Sequence, residues 1–220
     1  MKNPLIWGLI SFPLMLAAVF FVTYPFADNL DSKTFSISIL SPIQKSNIEI
    51  AAKAVNGTIL KPGEKFSFNR IVGPRTDIRG YRPAPSYLGP ESPSTIGGGI
   101  CLLSSALYQL ALESGLQIDN RVPHLRTIKT VPPGLDATVW YGQADLTFEN
   151  TLPFPVQIAT DWNHTTLTVS ILGKKPHGYH PAHLQRIVDR STPSEMVVEL
   201  LREQGNRTEL VSRDHYSIAN

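Results

Sequence analysis

The longest apolar run of the chain lies at its N-terminus. Residues 4–27 carry no charged side chain, and this run is long enough for a helix to cross a ~30 Å hydrocarbon core. Lys2 precedes the run, while Asp28 and Asp31 follow it, so the positive-inside rule leaves the N-terminus in the cytoplasm. We predict a transmembrane signal anchor over residues 1–30 that holds an extracytoplasmic domain. A long signal peptide cleaved near Ala27 is the alternative.

Shorter periodic segments follow the apolar run. A capping box at Ser46–Glu49 predicts a short helix. Residues 100–114 are apolar almost all the way round and are followed by Gly115, which predicts a buried helix. The order of helices first and strands afterwards predicts an α+β domain over residues 31–175, with a buried central helix packed on a mostly antiparallel sheet. Strand-like runs lie at residues 34–40, 66–68, 116–118, 138–141, 145–149, 156–160 and 165–172.

A C-terminal extension over residues 176–220 follows a boundary near Gly173. Thr192 and Glu195 match a second capping box, with Pro193 at the first helical position. This pattern predicts a short amphipathic helix over residues 193–204. The helix is expected to pack on the domain or on a protein partner.

Residues 69–99 form a long segment that is rich in proline and glycine. A loop of this length inside a compact domain is usually functional or disordered. Four of its side chains are suited to an anionic or sugar-rich ligand, namely Arg75, Arg79, Tyr81 and Arg82. A solvated surface loop with ordinary arginines is the alternative.

Composition removes several classes of function. The net charge is +2 and no run of Lys and Arg occurs, which excludes a nucleic-acid partner. Cys101 is the only cysteine, so an internal disulfide and a thiol-rich metal site are excluded. His177, His180 and His183 have no carboxylate or cysteine placed to complete a metal site. We expect no metal and no cofactor.

The strongest chemical signal is the run Gly97-Gly98-Gly99 shortly before Cys101. Glycines let the backbone approach a ligand closely, and the first turn of a helix favours a thiolate. If His124 and Asp136 lie on segments next to this helix, the three side chains form a nucleophile, a general base and an orienting group. That order is similar to the transglutaminase and papain-like arrangement. A small buried hydrophobe is the other interpretation of a lone cysteine.

Residues 62–76, 97–116 and 131–150 resemble the VanW family of bacterial envelope proteins, and the resemblance covers roughly residues 46–172. It implies a cell-envelope setting, an association with glycopeptide-resistance clusters of the VanB type, and functional positions at the glycine run, Cys101, His124 and Asp136. One residue departs from the family pattern. Leu102 occupies a position where the family commonly has glutamine, and leucine has no hydrogen bond to give a reacting carbonyl.

Three functions remain open at this point. The domain binds peptidoglycan or an associated wall polymer through the 69–99 segment, or it is a cysteine-dependent amidase, peptidase or transpeptidase acting on wall peptides. The third alternative is an envelope scaffold that recruits a protein through the 193–204 helix. Residues 4–27 would attach the domain to the membrane in each case.

Overall fold

The computed structural model describes residues 25–86 and 94–218 of the chain. Within these ranges no helix combines the length and the apolar character needed to cross a bilayer. The membrane span predicted over residues 4–27 lies outside the described residues, apart from its last three positions.

The α+β prediction is confirmed, because the described residues form antiparallel sheets and a few helices. The largest sheet has the order β1-β9-β8-β2, and two smaller sheets have the orders β3-β7-β6 and β10-β11-β12. Strands β4 and β5 form a separate hairpin. The strands are β1 (Asp28–Ser36), β2 (Ile59–Leu60), β3 (Lys65–Ser67), β4 (Pro83–Pro85), β5 (Ser94–Ile96), β6 (Gln117–Asn120), β7 (Thr147–Glu149), β8 (Val156–Trp162), β9 (Thr166–Gly173), β10 (His183–Thr192), β11 (Glu195–Gln204) and β12 (Arg207–Ser217). The helices are α1 (Pro42–Val55), α2 (Phe68–Val72) and α3 (Cys101–Glu113), with a 3₁₀ turn at Asp77–Arg79.

Helix α3 lies at the centre of the domain. Its residues from Leu102 to Glu113 are all buried, and it packs against β1, β6 and β9. Strand β9 alternates strictly, so Leu167, Val169 and Ile171 point into the same core. The helix is therefore held on the main sheet by apolar burial on both sides of the contact.

Helix α1 begins five residues earlier than the sequence predicts, because its N-cap is Ser41 and not Ser46. Ser41 is the N-cap and forms the capping box with Gln44, and Pro42 occupies the first helical turn. Because the helix is already capped at Ser41, Ser46 lies inside it and caps nothing.

The C-terminal helix predicted over residues 193–204 is wrong, because these residues form the turn into β11 and the strand itself. Burial alternates along β11, with Met196, Val198 and Leu200 facing inward. The same segment also fits a helical face through Met196, Val197, Leu200 and Leu201, so the pattern alone does not separate the two structures. Thr192 pairs with Glu195 across Pro193 and Ser194, which makes the supposed capping box the turn of a β-hairpin.

The sheet formed by β10, β11 and β12 packs on the domain that precedes it. Leu200 belongs to the main hydrophobic core. The N–H of Ala182 donates to the carbonyl of Glu113 at the end of α3, and Arg202 donates to the carbonyl of Leu116. Both hydrogen bonds reach the C-terminal end of α3, so the described part of the C-terminal extension is in direct contact with that end of the helix.

Candidate functional site

Three glycines form the turn that leads into α3. Gly98 passes so close to β4 that a Cβ atom on it would lie 2.1 Å from the carbonyl oxygen of Ala84. The buried amide of Asn47 joins the two segments, because its nitrogen donates to the carbonyls of Arg82 and Gly98 at 2.9 and 3.0 Å. Glycine at position 98 is therefore required for space, and the turn delivers Cys101 as the first residue of α3.

The Cys101 side chain is half-buried at this helix N-terminus, with its sulfur 3.9 Å from the carbonyl oxygen of Val139. No side chain caps the helix, and the N–H of Cys101 makes no hydrogen bond to another described residue. Uncapped N–H groups and the helix dipole favour negative charge at this end. The backbone beside the sulfur is therefore suited to stabilise an oxyanion.

Polar side chains of α3 fix the segment that carries Asp136. Ser104 donates to the carbonyl of Ala137 at 2.7 Å, and Ser105 accepts the N–H of Ala137 at 2.9 Å. Gln109 donates to the carbonyl of Leu135 at 3.0 Å. These three hydrogen bonds explain why polar residues occur in a buried helix, and they set the path of residues 135–137 relative to Cys101.

The structure brings Cys101, His124 and Asp136 together. The Nδ1 atom of His124 lies 2.6 Å from Oδ2 of Asp136, which also accepts the His124 backbone N–H at 2.7 Å. With Nδ1 committed to Asp136, Nε2 is the ring nitrogen left for the hydrogen bond between His124 and the Cys101 side chain. This is the geometric pattern of a nucleophile, a base and an orienting carboxylate.

The pKa values of the pair follow from these contacts. Burial acts to lower the pKa of His124, but the hydrogen bonds to Asp136 and Cys101 outweigh it and raise that pKa to about 9. Burial acts to raise the pKa of Asp136, yet the hydrogen bond from His124 and the charge of Arg121 lower it to about 2. At neutral pH the imidazole is therefore protonated and the carboxylate is ionised.

A second layer of buried polar groups supports Asp136. Oδ1 of Asp136 accepts from Arg121 at 3.0 Å and from the Tyr216 hydroxyl at 2.6 Å. Arg121 also donates to Asp214 at 2.6 Å, and the Tyr216 hydroxyl accepts the N–H of Gly134 at 2.8 Å. Asp214 and Tyr216 belong to β12, so the C-terminal sheet contributes directly to the position of the carboxylate.

Cys101 and His124 line a pocket of about 620 Å³. They also line a much smaller cavity, of about 20 Å³, together with Leu102 and Ile128. No group of three His, Cys, Asp or Glu side chains suited to a metal ion occurs among residues 25–86 and 94–218. The other residues of the large pocket are Arg75, Ser86, Thr95, Ile96, Gly97, Gly98, Gly99, Ile100, Thr138, Val139, Trp140 and Tyr141.

The predicted ligand-binding residues divide into two groups. Gly97, Gly98, Gly99 and Arg75 line the pocket. Arg79 donates to the carbonyl of Val72, and Arg82 donates to the carbonyls of Asp77 and Tyr81. Tyr81 is fully buried in the core. These last three therefore lie away from the pocket walls, because their side chains stabilise the fold of the segment itself.

The model of the family described as VanW like protein matches residues 44–172, more than half of the chain. The chain belongs to the VanW family. The resemblance identified from the sequence motifs is thereby confirmed. No solved structure matches this VanW-family chain.

Two curated relatives are similar over part of their length. An uncharacterized protein of Bacillus subtilis, YoaR, is 44% identical over 112 residues, which cover 51% of this chain and 37% of the relative. The vancomycin B-type resistance protein VanW of Enterococcus faecalis is 27% identical over 180 residues, which cover 79% of this chain and 61% of the relative. The VanW-family chain described here thus spans less than two thirds of either relative.

Sequence reasoning missed four residues of the site. Trp140 and Tyr141 are 50% and 51% exposed at the pocket, and two adjacent aromatic residues in a polar stretch were the available signal. Arg121 and Tyr216 gave no signal, because they meet Asp136 only through long-range contacts.

Proposed function

We propose that this VanW-family protein is a cysteine-dependent acyl-transfer enzyme that acts on peptides of the bacterial cell wall. The observation that carries the proposal is that Cys101, at the N-terminus of α3 and on a 620 Å³ pocket, shares a hydrogen bond with a histidine that Asp136 orients. A cysteine that served only as a small hydrophobe would have no need of this charged partner.

The proposed reaction proceeds in two stages through a thioester on Cys101. The thiolate of Cys101 attacks a carbonyl carbon, a C–S bond forms, and the carbonyl oxygen takes the negative charge next to the uncapped N–H of Cys101. The C–N bond then breaks, and the protonated His124 gives its Nε2 proton to the leaving amine. Water or a second amine next attacks the thioester, loses its proton to His124 and releases the thiolate. Water gives an amidase or peptidase, and an amine gives a transpeptidase.

Leucine at position 102, in place of the glutamine common in the family, is compatible with this chemistry. Its side chain is buried, and the backbone N–H of Cys101 supplies a donor of the kind that glutamine provides elsewhere in the family. The wall setting rests on the family resemblance and on the name of the Enterococcus faecalis relative. Anchoring to the membrane through residues 4–27, with the domain outside, remains a prediction that belongs to this proposal.

Binding of peptidoglycan or a wall polymer is a second candidate function of the same pocket. Trp140 and Tyr141 expose about half of their surface there, and exposed aromatic rings of this kind pack against sugar rings. Binding without reaction would use these rings and would not require the thiol.

Alkylation of the thiol tests the proposed enzyme. The folded protein should react with iodoacetamide at neutral pH, and His124→Ala should react more slowly, on the order of tenfold or more. His177→Ala is the control, since His177 is exposed and is not one of the residues that line the pocket. A thiol that reacts only after denaturation would refute the enzyme.

Purified sacculi separate catalysis from binding. Cys101→Ala should abolish the release of soluble peptides or the formation of new cross-links, while it still sediments with the sacculi. Trp140→Ala should sediment less, and Ile78→Ala, which removes an exposed apolar side chain away from the pocket, should sediment as the unmodified protein does. Binding that is lost with Trp140→Ala while Cys101→Ala releases the same products as the unmodified protein would favour the binding function alone.

A further inference from the structure

Arg75 is the cationic side chain of the 69–99 segment that lies at the pocket. Its Nη1 donates to the carbonyl of Gly73 at 2.8 Å, and its Nη2 donates to Oδ1 of Asn69 at 2.7 Å. The guanidinium also lies 5.8 Å from the ring centroid of Phe68 and 5.7 Å from that of Tyr141. These four contacts hold the charged group in one place before any ligand arrives.

The charge of Arg75 has no ionic partner in the part of the chain that the structure describes. Burial lowers its pKa, against the electrostatic influence of Tyr81, Cys101 and Asp145. The oxygens of Asp145 are occupied by Ser67 and by the backbone N–H of Asn69. A partly buried guanidinium without a carboxylate is costly for a fold to maintain. Two of its five N–H groups are used in the contacts above, which leaves three for a ligand.

Arg75 also lies on the same pocket as the nucleophile. Its aliphatic stem crosses the glycine turn, where a Cβ atom on Gly97 would lie 2.8 Å from Cγ of Arg75. Gly97 has a φ of 83° as well, so a side chain at this position is disfavoured on two grounds. Arg75, Cys101 and His124 line the same pocket.

We propose that Arg75 binds a carboxylate of the reacting molecule, so that the enzyme selects peptides that carry a free carboxylate close to the carbonyl attacked by Cys101. This inference rests on the proposed cysteine chemistry and narrows its substrates to anionic acyl compounds. A guanidinium recognises a carboxylate through two parallel N–H···O bonds, which fix the orientation of the ligand as well as its charge. The neighbouring arginines have their donors directed at carbonyls of the segment itself, and they take no part in this recognition.

Two alkylating reagents test the carboxylate site without knowledge of the substrate. Iodoacetate and iodoacetamide undergo the same reaction, in which the thiolate displaces iodide and a C–S bond forms, and they differ in that iodoacetate carries a carboxylate. The ratio of their rates with Cys101 therefore reports recognition of the carboxylate. Arg75→Gln should lower the ratio of the iodoacetate rate to the iodoacetamide rate by roughly fivefold or more.

Matched variants control for charge and folding. Arg82→Gln removes one positive charge from the same segment outside the pocket, and its rate ratio should equal that of the unmodified protein. Arg75→Lys keeps the charge and should keep a ratio between those of the unmodified protein and Arg75→Gln. An unchanged ratio in Arg75→Gln, with both reagents still reacting, would overturn the carboxylate site and leave the nucleophile standing. A folded protein that reacts with neither reagent would overturn both proposals.

Discussion

At the scale of single residues, Asp136 has the most demanding environment of the site. Its carboxylate accepts hydrogen bonds from the backbone and ring of His124, from Arg121 and from the hydroxyl of Tyr216. The side chain is 1% exposed. A buried carboxylate is tolerated only when charged and polar donors surround it in this way. The four donors also leave His124 a single orientation, with Nε2 toward the sulfur.

The protonation of His124 predicts how stability depends on pH. Its pKa is about 9 in the folded protein against the usual 6.5, so the stabilisation is fully present below about pH 6.5 and is lost as the pH rises through 9. Between about pH 7 and about pH 9.5, the free energy of unfolding should fall by on the order of 1–3 kcal/mol. Urea unfolding at several pH values measures this loss.

His124→Gln should flatten that dependence, and His177→Gln should preserve it. Glu113 also titrates, because burial raises its pKa to about 7 from 4.5. Because folding raises the pKa of this carboxyl, its contribution to the free energy of unfolding is present below pH 4.5 and is lost as the pH rises to 7. This pH range lies below the one in which His124 titrates. If the free energy of unfolding of His124→Gln still fell above pH 7, the effect would belong to another group.

At the scale of elements, α3 combines two tasks in thirteen residues. Its apolar side chains bury the helix against the main sheet, and Ser104, Ser105 and Gln109 bind the backbone of residues 135–137. One helix therefore carries the nucleophile at its first residue and also positions the neighbouring segment that holds the carboxylate.

Ser105→Ala tests this arrangement. The substitution leaves the buried N–H of Ala137 without its acceptor, which should cost about 1–3 kcal/mol in the free energy of unfolding. It should also slow alkylation of Cys101, because the segment that holds Asp136 becomes less ordered. Chemical denaturation and the iodoacetamide rate measure the two effects.

Ser114→Ala is the matched control at the other end of the helix. The Ser114 hydroxyl is buried and has no hydrogen-bond partner among the described residues, so its removal should be neutral or stabilising. If both serine variants had the same stability, the contacts of Ser105 would contribute nothing measurable.

The elements differ in how well their sequences specify them. Helix α3 was predictable because it is long, apolar and bounded by glycines, and β8 and β9 were predictable because they alternate or are rich in β-branched residues. Strand β11 was not, since Met196, Val197, Leu200 and Leu201 suit a helical face as well as a strand. Its partners β10 and β12 decide the structure through pairing, which a local pattern does not contain.

The residues of the site that could be predicted are those that lie in distinctive local sequences. The glycine run marked Cys101, and spacing suggested His124 and Asp136 as its neighbours. Residues 69–99 were expected to present several side chains to a ligand, and Arg75 is the one at the pocket. The described part of the segment forms most of α2, a 3₁₀ turn and the strands β4 and β5, and this arrangement turns Tyr81 inward. Such orientations depend on tertiary packing that the composition of a loop does not reveal.

At the scale of the whole molecule, the C-terminal sheet completes the environment of the site. Asp214 and Tyr216 lie outside residues 44–172, which match the family model. They nevertheless contact Arg121 and Asp136 directly. A chain ending at Lys175 would lose these contacts and also Leu200 from the core, so a point variant is the sharper test of their role.

Tyr216→Phe removes one hydroxyl and leaves the ring in place. Asp136 loses a donor at 2.6 Å, and the N–H of Gly134 loses its acceptor. The free energy of unfolding should fall by about 1–3 kcal/mol, and alkylation of Cys101 should slow because His124 is held less firmly. Tyr141→Phe is the control for stability, since Tyr141 is half exposed. Equal stability of the two variants would remove β12 from the support of the site.

The bonds from α3 to residues 135–137 end on main-chain atoms, and this has a consequence for divergence among relatives. Hydrogen bonds to carbonyl and amide groups fix the path of the backbone and do not depend on which side chain each residue carries. An apolar substitution at position 135, where Leu135 packs against the main core, therefore need not displace the carboxylate beside it. Ser104, Ser105 and Gln109 carry the constraint instead, so substitutions there, more than at position 135, should mark relatives that have lost the arrangement.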